Sequence, residues 1–210
     1  TILHDLKNPM TTIAGFAQLI GLKEMPYEDV VKYTKIISQQ VNQFNTLAQE
    51  LLAFAQGSST LQLQELEFPA CIEDSLASIN HNLVQHSMKL VTDFNGEARI
   101  HIDPSRFYRV YENLVNNAIE AMNSGDTLSI SSRLEDDHLI MTIADTGHGM
   151  EAEVLSKVFD EFFTHKKHKG TGLGLAIVKS IISDHNGEIS VESVLDQGTT
   201  FTITLPVLKT

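Results

Sequence analysis

The sequence predicts two units of different fold class: a helical hairpin at 1–57 and a mixed α/β domain at 62–210, joined by a linker at 58–61. In the first unit, apolar residues recur at alternating steps of three and four, which is the spacing of a bundle helix. In the second, helical periodicity is interleaved with segments in which apolar and polar residues alternate, as in half-buried strands. Small polar residues at 57–60 supply no packing surface, so we expect the domain boundary there.

The first unit contains two helical stripes, interrupted by Gly21 and Pro26. The residues of the two stripes are Leu3, Leu6, Met10, Ile13, Ala17 and Ile20, then Ile37, Val41, Phe44, Ala48, Leu51 and Ala55. A short connection predicts an antiparallel hairpin, but two helices alone cannot cover both apolar seams. We therefore expect a homodimer in which two hairpins form a four-helix bundle. The alternative is a hairpin that folds onto the rest of its own chain.

The pattern of the second unit predicts helices that alternate with paired strands. Asp103 and Pro104 are a good N-cap and first-turn pair for a helix that runs to about Met122, because Asp accepts hydrogen bonds from the first amides and Pro has no N–H. The other expected elements are strands at 63–68, 89–94 and 99–102, a helix at 69–86, and strand pairs at 127–133 with 138–145 and 188–193 with 200–205. The last pair turns around Gly198.

Charge and composition exclude several classes of protein. Lys and Arg total 15 against 27 Asp and Glu, a formal net charge of -12, so a nucleic-acid backbone is not an expected partner. Cys71 is the single cysteine, which rules out an internal disulfide and a cysteine-rich metal site. No run of about 20 apolar residues predicts a membrane span. We therefore expect a soluble protein. Because the sequence begins at Thr1 inside a helical pattern, we also expect it to be a fragment of a longer one.

Asn113 and Asn117 lie four residues apart on the helix that starts at Asp103, so both amides face the same side. An amide oxygen there, above all that of Asn117, is a suitable ligand for Mg²⁺, which prefers oxygen and usually keeps waters while it bridges phosphates. The alternative is an ordinary pair of surface amides.

Two glycine-containing turns follow. In the first, at 145–150, Gly147 and Gly149 permit close backbone approach to a ligand, and Asp145 could accept a hydrogen bond from an adenine amino group. An ordinary Asx turn would explain this segment equally well. The second, at 170–175, opens a helix, and its amides could hold phosphates; the residues of interest there are Gly170, Gly172, Leu173 and Gly174. It does not follow a strand and lacks a Gly-Lys-Ser ending, so dinucleotide-binding and P-loop sites are disfavoured.

The segment 159–169 between these turns is basic in an otherwise acidic chain. It carries Phe162, Phe163, Lys166, Lys167, His168 and Lys169. We interpret it as a lid whose lysines, Lys166 among them, neutralise a triphosphate and whose aromatic residues tether its base. The alternative is a solvated run of charge.

Taken together, these segments resemble the Bergerat-type ATP-binding domain of histidine kinases, DNA gyrase, Hsp90 and MutL. The resemblance implies an α/β sandwich that binds ATP with Mg²⁺. The matching segments are 113–118 (N box), 145–150 (G1 box), 159–163 (F box), 170–175 (G2 box) and 198–200 (last glycine box, with Thr200). In gyrase-like ATPases a glutamate that activates water stands where this chain has Asn113, so the resemblance favours phosphotransfer to a protein group over hydrolysis.

Residues 4–10 resemble the H box of histidine kinases, with Asp5 in place of the commoner glutamate and Met10 in place of leucine. The resemblance implies that His4 accepts the phosphoryl group, that Asp5 orients or deprotonates its imidazole, and that Asn8 could hold a water for dephosphorylating a regulator. It also implies transfer to the receiver domain of a response regulator. A narrower resemblance is to sporulation kinases that feed phosphorelays.

Further expectations concern partners and location. A small inhibitory protein is a candidate partner of the helical domain, and use of ATP implies a cytoplasmic location, with a membrane anchor only through upstream regions. Two other functions remain open. One is a clamp ATPase with the hairpin as a dimerisation arm, against which Asn113 argues; the other is a pseudokinase whose bundle serves as a docking platform.

Overall fold

The computed structural model describes residues 2–21, 25–55, 61–164 and 172–208. Residues 58–60 of the expected linker and the basic part of the expected lid, with Lys166 and Gly170, lie outside these ranges. The side chains of His4 and Asp5 also lie outside what is described, although the backbone of both belongs to the first helix.

The helical hairpin is confirmed. Helix α1 (Ile2–Ile20) is followed by α2 (Tyr27–Ala55), and the rings of Phe16 and Tyr33 pack between them with centroids 5.0 Å apart. Pro26 precedes α2, and its carbonyl oxygen accepts from the backbone N–H groups of Asp29 and Val30. In the described part of the chain, neither these helices nor any other has the length and apolar character that a membrane span requires.

The hairpin exposes many of its apolar side chains. Met10 of the first predicted stripe is 51% exposed and Val41 of the second is 40% exposed. Near the end of α2 the pattern differs, since Leu47 is buried and Leu51 packs against the core of the α/β domain. Among the described residues, the α/β domain therefore covers one end of α2, and Met10 and Val41 of the two stripes remain open to a further partner.

Over the residues that the structure describes, the α/β domain contains seven strands, four helices and one 3₁₀ turn. The strands are β1 (Gln64–Phe68), β2 (Lys89–Phe94), β3 (Ala98–Ile102), β4 (Thr127–Glu135), β5 (His138–Asp145), β6 (Glu188–Val194) and β7 (Gly198–Pro206). The helices are α3 (Glu73–Gln85), α4 (Pro104–Ala121), α5 (Ala152–Leu155) and α6 (Gly174–Asp184), with the 3₁₀ turn at Ala70–Ile72.

Five strands form one sheet in the order β2-β4-β5-β7-β6. Only β2 and β4 run parallel; the other neighbours are antiparallel. Strands β1 and β3 pair separately, antiparallel, and Ile100 of β3 bridges to Val207 near the end of the chain. The predicted strand pairs are thereby confirmed, and the β1–β3 pairing and the sheet order are additional.

Helices α4 and α6 pack on one face of the five-stranded sheet, which makes the predicted two-layer α/β sandwich. On β5 the alternate residues Leu139, Met141 and Ile143 belong to this core. The helices contribute Phe107, Val110, Tyr111, Leu114, Val115, Ala118, Ile177, Val178, Ile181 and Ile182. The opposite face of the sheet carries the intervening residues, such as Thr142 and Thr202, which face each other across β5 and β7.

Two local predictions need correction. The helix expected at 69–86 is divided into the 3₁₀ turn and α3, because Pro69 has no N–H and the chain leaves β1 in a tight turn. The four-residue helix α5 was not expected, since it is too short to show a period. The Asp103 cap is confirmed: its side chain accepts from the backbone N–H groups of Ser105 and Arg106.

Candidate nucleotide-binding site

Asn113 of α4 lies against the beginning of α6. Its Nδ2 donates to the carbonyl oxygen of Arg109 at 2.8 Å, which orients Oδ1 away from that carbonyl. A β-carbon at Gly174, the first residue of α6, would lie 2.6 Å from Asn113 Oδ1. Glycine is therefore required at Gly174 for this approach, which brings α4 against the start of α6.

Asn117 lies one turn further along α4 and is exposed. The spacing of four residues places it on the side of α4 that carries Asn113, while Leu114 and Ala118 are buried in the core. Both amides are thus available at the edge of the helix layer. Within the described residues no group of three or more His, Cys, Asp or Glu side chains could hold a metal ion. Amide oxygens that work together with phosphates and waters are therefore the donor set that fits Mg²⁺ here.

The second glycine turn leads directly into α6. Gly172 accepts a hydrogen bond at its carbonyl oxygen from the N–H of Phe162 at 3.0 Å, so the turn is tied to the base of the expected lid. The N-cap of α6 is Leu173, which is fully buried and has no hydrogen-bonding side chain. The helix consequently starts without a side-chain cap, and its first N–H groups can serve an anionic ligand.

The aromatic base of the lid is held by the domain. The ring of Phe159 packs edge-on against Phe201 of β7, with centroids 6.4 Å apart at an interplanar angle of 76°. The ammonium group of Lys179 lies 5.5 Å from the centroid of the same ring. This contact confirms, for Phe159, the expectation that aromatic residues anchor the segment.

Asp145 ends β5 on the helix-facing side of the sheet and is buried, with 8% exposure. Its Oδ1 accepts from the N–H of Gly147 at 2.9 Å. Burial raises the pKa of the Asp145 carboxyl above its ordinary value, although backbone N–H groups of Gly147 and Thr199 donate to it and oppose the change. A buried carboxylate of this kind is suited to a specific donor such as an adenine amino group.

The turn after Asp145 is clamped between neighbouring segments. Gly149 has a φ of +63°, and a β-carbon on it would overlap the carbonyl oxygen of Val194 at the end of β6. The N–H of His148 donates to the carbonyl oxygen of Ala121 at 3.0 Å, which ties the turn to the end of α4. The turn is therefore held by tertiary contacts as well as by its own Asx hydrogen bond.

The strand register separates the predicted site residue Thr200 from Asp145. Thr199 lies directly opposite Asp145 in the β5–β7 ladder, whereas Thr200 lies opposite Ala144. Since side chains alternate along a strand, Thr200 falls on the outer face of the sheet, away from α4 and α6. Thr199, which is buried at 6% exposure, is the threonine that lies beside Asp145. The alternation of the predicted strand with the apolar Phe201 could have indicated this placement.

The hydroxyl of Thr199 is held by a small network. Its Oγ1 lies 3.0 Å from Ser193 Oγ, and Ser193 Oγ also donates to the carbonyl oxygen of Gly198 at 2.9 Å. The N–H of Met150 donates to Ser193 Oγ at 2.8 Å, so the network reaches the turn that follows Asp145. Ser193 was not singled out from the sequence, because nothing in its neighbourhood along the chain marks it.

The H-box segment lies within α1, ahead of this site in the chain. Pro9 is inside the helix and is buried, and Asn8 precedes it with an exposed side chain. The hydroxyl of Thr12 donates to the carbonyl oxygen of Asn8 at 3.0 Å, and that of Thr11 donates to the carbonyl oxygen of Lys7 at 2.9 Å. Both threonines lie just after Pro9, whose ring nitrogen has no N–H to donate within α1.

Two family models match the chain. Residues 1–60 match the His Kinase A (phospho-acceptor) domain, and residues 102–209 match the family of histidine kinase-, DNA gyrase B- and HSP90-like ATPases. The match boundaries agree with the hairpin and with the greater part of the α/β domain. Together they account for both structural units.

Similar curated proteins include sporulation kinases and sensor histidine kinases. Sporulation kinase E of Bacillus subtilis is 33% identical over 98% of this chain and 28% of its own length. Sensor histidine kinase ZraS of Salmonella typhimurium is 31% identical over 99% of this chain and 44% of its own length. The chain thus spans less than half the length of these relatives.

Solved structures with the same arrangement include histidine kinase AdeS of Acinetobacter baumannii, with a TM-score of 0.78, 27% identity and 98% coverage of both chains. Histidine kinase ThkA in complex with response regulator protein TrrA gives a TM-score of 0.81 at 26% identity, over 98% of this chain and 59% of the other.

Proposed function

This chain belongs to the histidine kinase family, and we propose that it transfers the γ-phosphoryl group of ATP to its own His4 and then to an aspartate of a response-regulator receiver domain. The observation that carries the proposal is the contact of Asn113 with Gly174 in a domain whose buried Asp145 faces the same helix layer. These groups form one nucleotide site, and the phospho-acceptor segment precedes it in the chain.

In the proposed complex, Asp145 accepts from the adenine amino group, and Thr199 stands beside it. The uncapped start of α6 and the lysines of the lid, Lys166 among them, face the phosphates. Asn117, with Asn113 behind it, supplies amide oxygen toward Mg²⁺, which when bound would neutralise charge that develops on the phosphates.

The proposed chemistry forms a bond between an imidazole nitrogen of His4 and the γ-phosphorus. It breaks the bond from that phosphorus to the β–γ bridging oxygen, so that ADP leaves with the electron pair. Asp5 takes or shares the proton of the other ring nitrogen and keeps the attacking nitrogen unprotonated. Asn113 supports this outcome over hydrolysis, because an amide cannot remove a proton from water as a carboxylate can.

The proposed assembly is a homodimer of hairpins, supported by the exposure of Met10 and Val41 on the two stripes. A receiver domain is the proposed partner of the same helical region, supported by the complex of ThkA with TrrA. A small inhibitory protein on the helical domain, a role for Asn8 in dephosphorylating the regulator and a cytoplasmic location belong to the same proposal.

A place in a sporulation phosphorelay is a narrower proposal. Sporulation kinases E and C of Bacillus subtilis, at 33% and 31% identity, support it. Phosphotransfer from the purified chain to an isolated receiver domain of a sporulation regulator, compared with an unrelated receiver domain, would test it. Equal rates with both would contradict it.

The central test is labelling of the purified chain with γ-labelled ATP and Mg²⁺. We expect wild type to acquire an acid-labile, alkali-stable label, and the His4→Gln variant to acquire none. The matched control is His138→Gln, because His138 is exposed at the start of β5. Labelling that survives His4→Gln, or ATP hydrolysis without labelling, would replace the proposal with the clamp ATPase.

A further inference from the structure

Asp103 uses its two carboxylate oxygens for different purposes. Oδ1 caps α4, accepting from the backbone N–H groups of Ser105 at 3.1 Å and Arg106 at 3.2 Å and from Ser105 Oγ at 2.7 Å. Oδ2 accepts from the backbone N–H of Gln62 at 3.0 Å, 41 residues earlier in the chain. A helix cap accounts for the first set of hydrogen bonds. It does not account for the second.

The backbone of Asp103 is held from another direction. Its N–H donates to Nε2 of His185 at 2.8 Å. Nε2 is therefore the acceptor nitrogen, and Nδ1 carries the proton that it donates to the carbonyl oxygen of Ile181 at 2.7 Å. His185 is buried at 4% exposure and follows the last residue of α6, so it ties the end of α6 to the start of α4.

A charged contact supports the same junction. Arg106 NH1 lies 3.2 Å from Oδ2 of Asp184, the last residue of α6, and the side chain of Arg106 is mostly buried. Burial by itself would raise the pKa of the Asp103 carboxyl, but hydrogen bonds from Ser105, Gln62 and Arg106 outweigh it and leave the pKa below its ordinary value. Asp103 is therefore ionised at neutral pH, which strengthens each hydrogen bond that it accepts.

The junction connects three parts of the chain that the proposed reaction uses. Gln62 is the first residue after the expected linker at 58–61, α4 carries Asn113 and Asn117, and α6 starts at Gly174. Movement of the chain at Gln62 would therefore be transmitted directly to both helices of the nucleotide site. Among the described residues, the hairpin itself contacts the domain through side chains of α2 such as Leu51.

We propose that Asp103 is a positioning residue for phosphoryl transfer: its Oδ2 fixes Gln62, the first residue after the linker, to the two nucleotide-site helices and so orients the hairpin toward the bound nucleotide. This role rests on the proposed histidine kinase function. It places the effect in the transfer step, because the hydrogen bond holds the point where the linker enters the domain and touches neither the adenine nor the phosphate side of the site. Misplacement of reacting groups by about 1 Å can reduce a rate on the order of a hundredfold.

Two substitutions remove the bond from opposite sides. Gln62→Pro removes the donor N–H and leaves Asp103 and its cap unchanged, and Gln62→Ala is the matched control, since it changes the side chain and keeps the N–H. Asp103→Asn preserves a side-chain oxygen for the cap. It places an NH₂ group opposite the backbone N–H of Gln62, and an NH₂ group cannot accept that hydrogen bond. The double variant Gln62→Pro with Asp103→Asn tests whether the two act through one bond.

Autophosphorylation kinetics of the full chain are the main readout. We expect each single variant to lower kcat by roughly tenfold, with KM for ATP within about twofold of wild type. The double variant should be no slower than the slower single variant, and Gln62→Ala should match wild type. Hydrogen exchange at the Gln62 amide gives a readout independent of activity: the protected amide of wild type should exchange faster in the Asp103→Asn variant.

Several results would overturn the role. A wild-type kcat in the Gln62→Pro variant would leave Asp103 with the role of a helix cap alone. Losses of kcat that add in the double variant would lead to the same conclusion. If kcat fell and KM for ATP rose together, in proportion to the fall in melting temperature of each variant, Asp103 would have a structural role only. A wild-type chain that fails to label would overturn the proposed function and this role with it, whereas a labelled wild type beside a fully active Gln62→Pro variant would overturn the role of Asp103 alone.

Discussion

Oδ1 of Asn113 lies 2.6 Å from the point that a β-carbon would occupy at Gly174. Two segments that are far apart in the chain therefore meet with no atom between them, and the side-chain amide of Asn113 lies beside the start of α6. The contact depends on a missing side chain at one residue and on a hydrogen bond to Arg109 at the other.

Gly174→Ala should weaken nucleotide binding. The added methyl must displace Asn113 or shift α6, and we expect roughly tenfold lower affinity for Mg-ATP and about 1–3 kcal/mol less stability. Calorimetric titration and urea unfolding measure the two effects. Gly15→Ala is the control for binding, because nothing lies within 4 Å of the methyl that it adds. Wild-type affinity in the Gly174→Ala variant would contradict the contact.

Asn117→Ala should remove the magnesium dependence of binding. We expect an affinity loss of roughly tenfold for ATP with Mg²⁺ and little change for ATP with a chelator, since the amide oxygen acts through the metal. Asn116→Ala is the matched control, because Asn116 is also exposed on α4 but points about 100° away around the helix. Equal losses with and without Mg²⁺ would assign Asn117 to the nucleotide itself.

Asp145→Asn should alter stability in a pH-dependent manner. Because burial raises the folded-state pKa, protonated Asp145 stabilises the fold below the ordinary value of 3.8, and that contribution is lost as the pH rises through the raised pKa. The neutral amide does not undergo this loss, so the variant should gain stability relative to wild type as the pH rises from the ordinary value of 3.8 through the raised pKa. Urea unfolding at a series of pH values checks this; a relative loss toward neutral pH would contradict it.

The same Asp145→Asn variant should bind ATP poorly. Its oxygen is expected to accept from Gly147, as Oδ1 does in the wild type, which turns the NH₂ group toward the adenine amino group. Two donors then face each other, and the affinity should fall by roughly tenfold or more. Binding of GTP compared with ATP provides the control, since the preference for adenine should shrink in the variant.

Thr199→Val and Thr200→Val form a matched pair that tests which of the two threonines serves the nucleotide site. Both replace a hydroxyl by a methyl at constant shape, one beside Asp145 and one beside Ala144 on the opposite face. Thr199→Val should lower ATP affinity by about 1 kcal/mol, and Thr200→Val should leave it unchanged. The reverse order of effects would place the nucleotide on the outer face of the sheet.

Met10→Lys should dissociate the proposed dimer. Met10 is 51% exposed in the single chain, and a buried unpaired ammonium in each copy would weaken association by roughly a hundredfold. Sedimentation equilibrium measures the mass. The control is Val91→Lys, because Val91 is also 51% exposed but lies on β2 of the other domain. An unchanged dimer would exclude this stripe from the interface.

Much of the site was predictable because its residues belong to continuous segments. Asn113 with Asn117 and Asp145 with Gly147 each occur within a few residues, and their spacing alone indicates which side of a helix or turn they share. The choice between Thr199 and Thr200 could not be made locally, because neighbouring threonines are equally suitable chemically and only the register of β7 against β5 distinguishes their placement.

The sequence by itself determined the two units, the course of nearly every helix and strand, the Asp103 cap and the segments that carry the nucleotide chemistry, because periodicity, capping and glycine turns act over a few neighbouring residues. Only the tertiary structure decided that Asn113 meets Gly174, that Thr199 stands beside Asp145 and that Gln62 and His185 both bind Asp103. These contacts join residues distant in the chain, and they depend on strand order and helix packing, which local spacing does not specify.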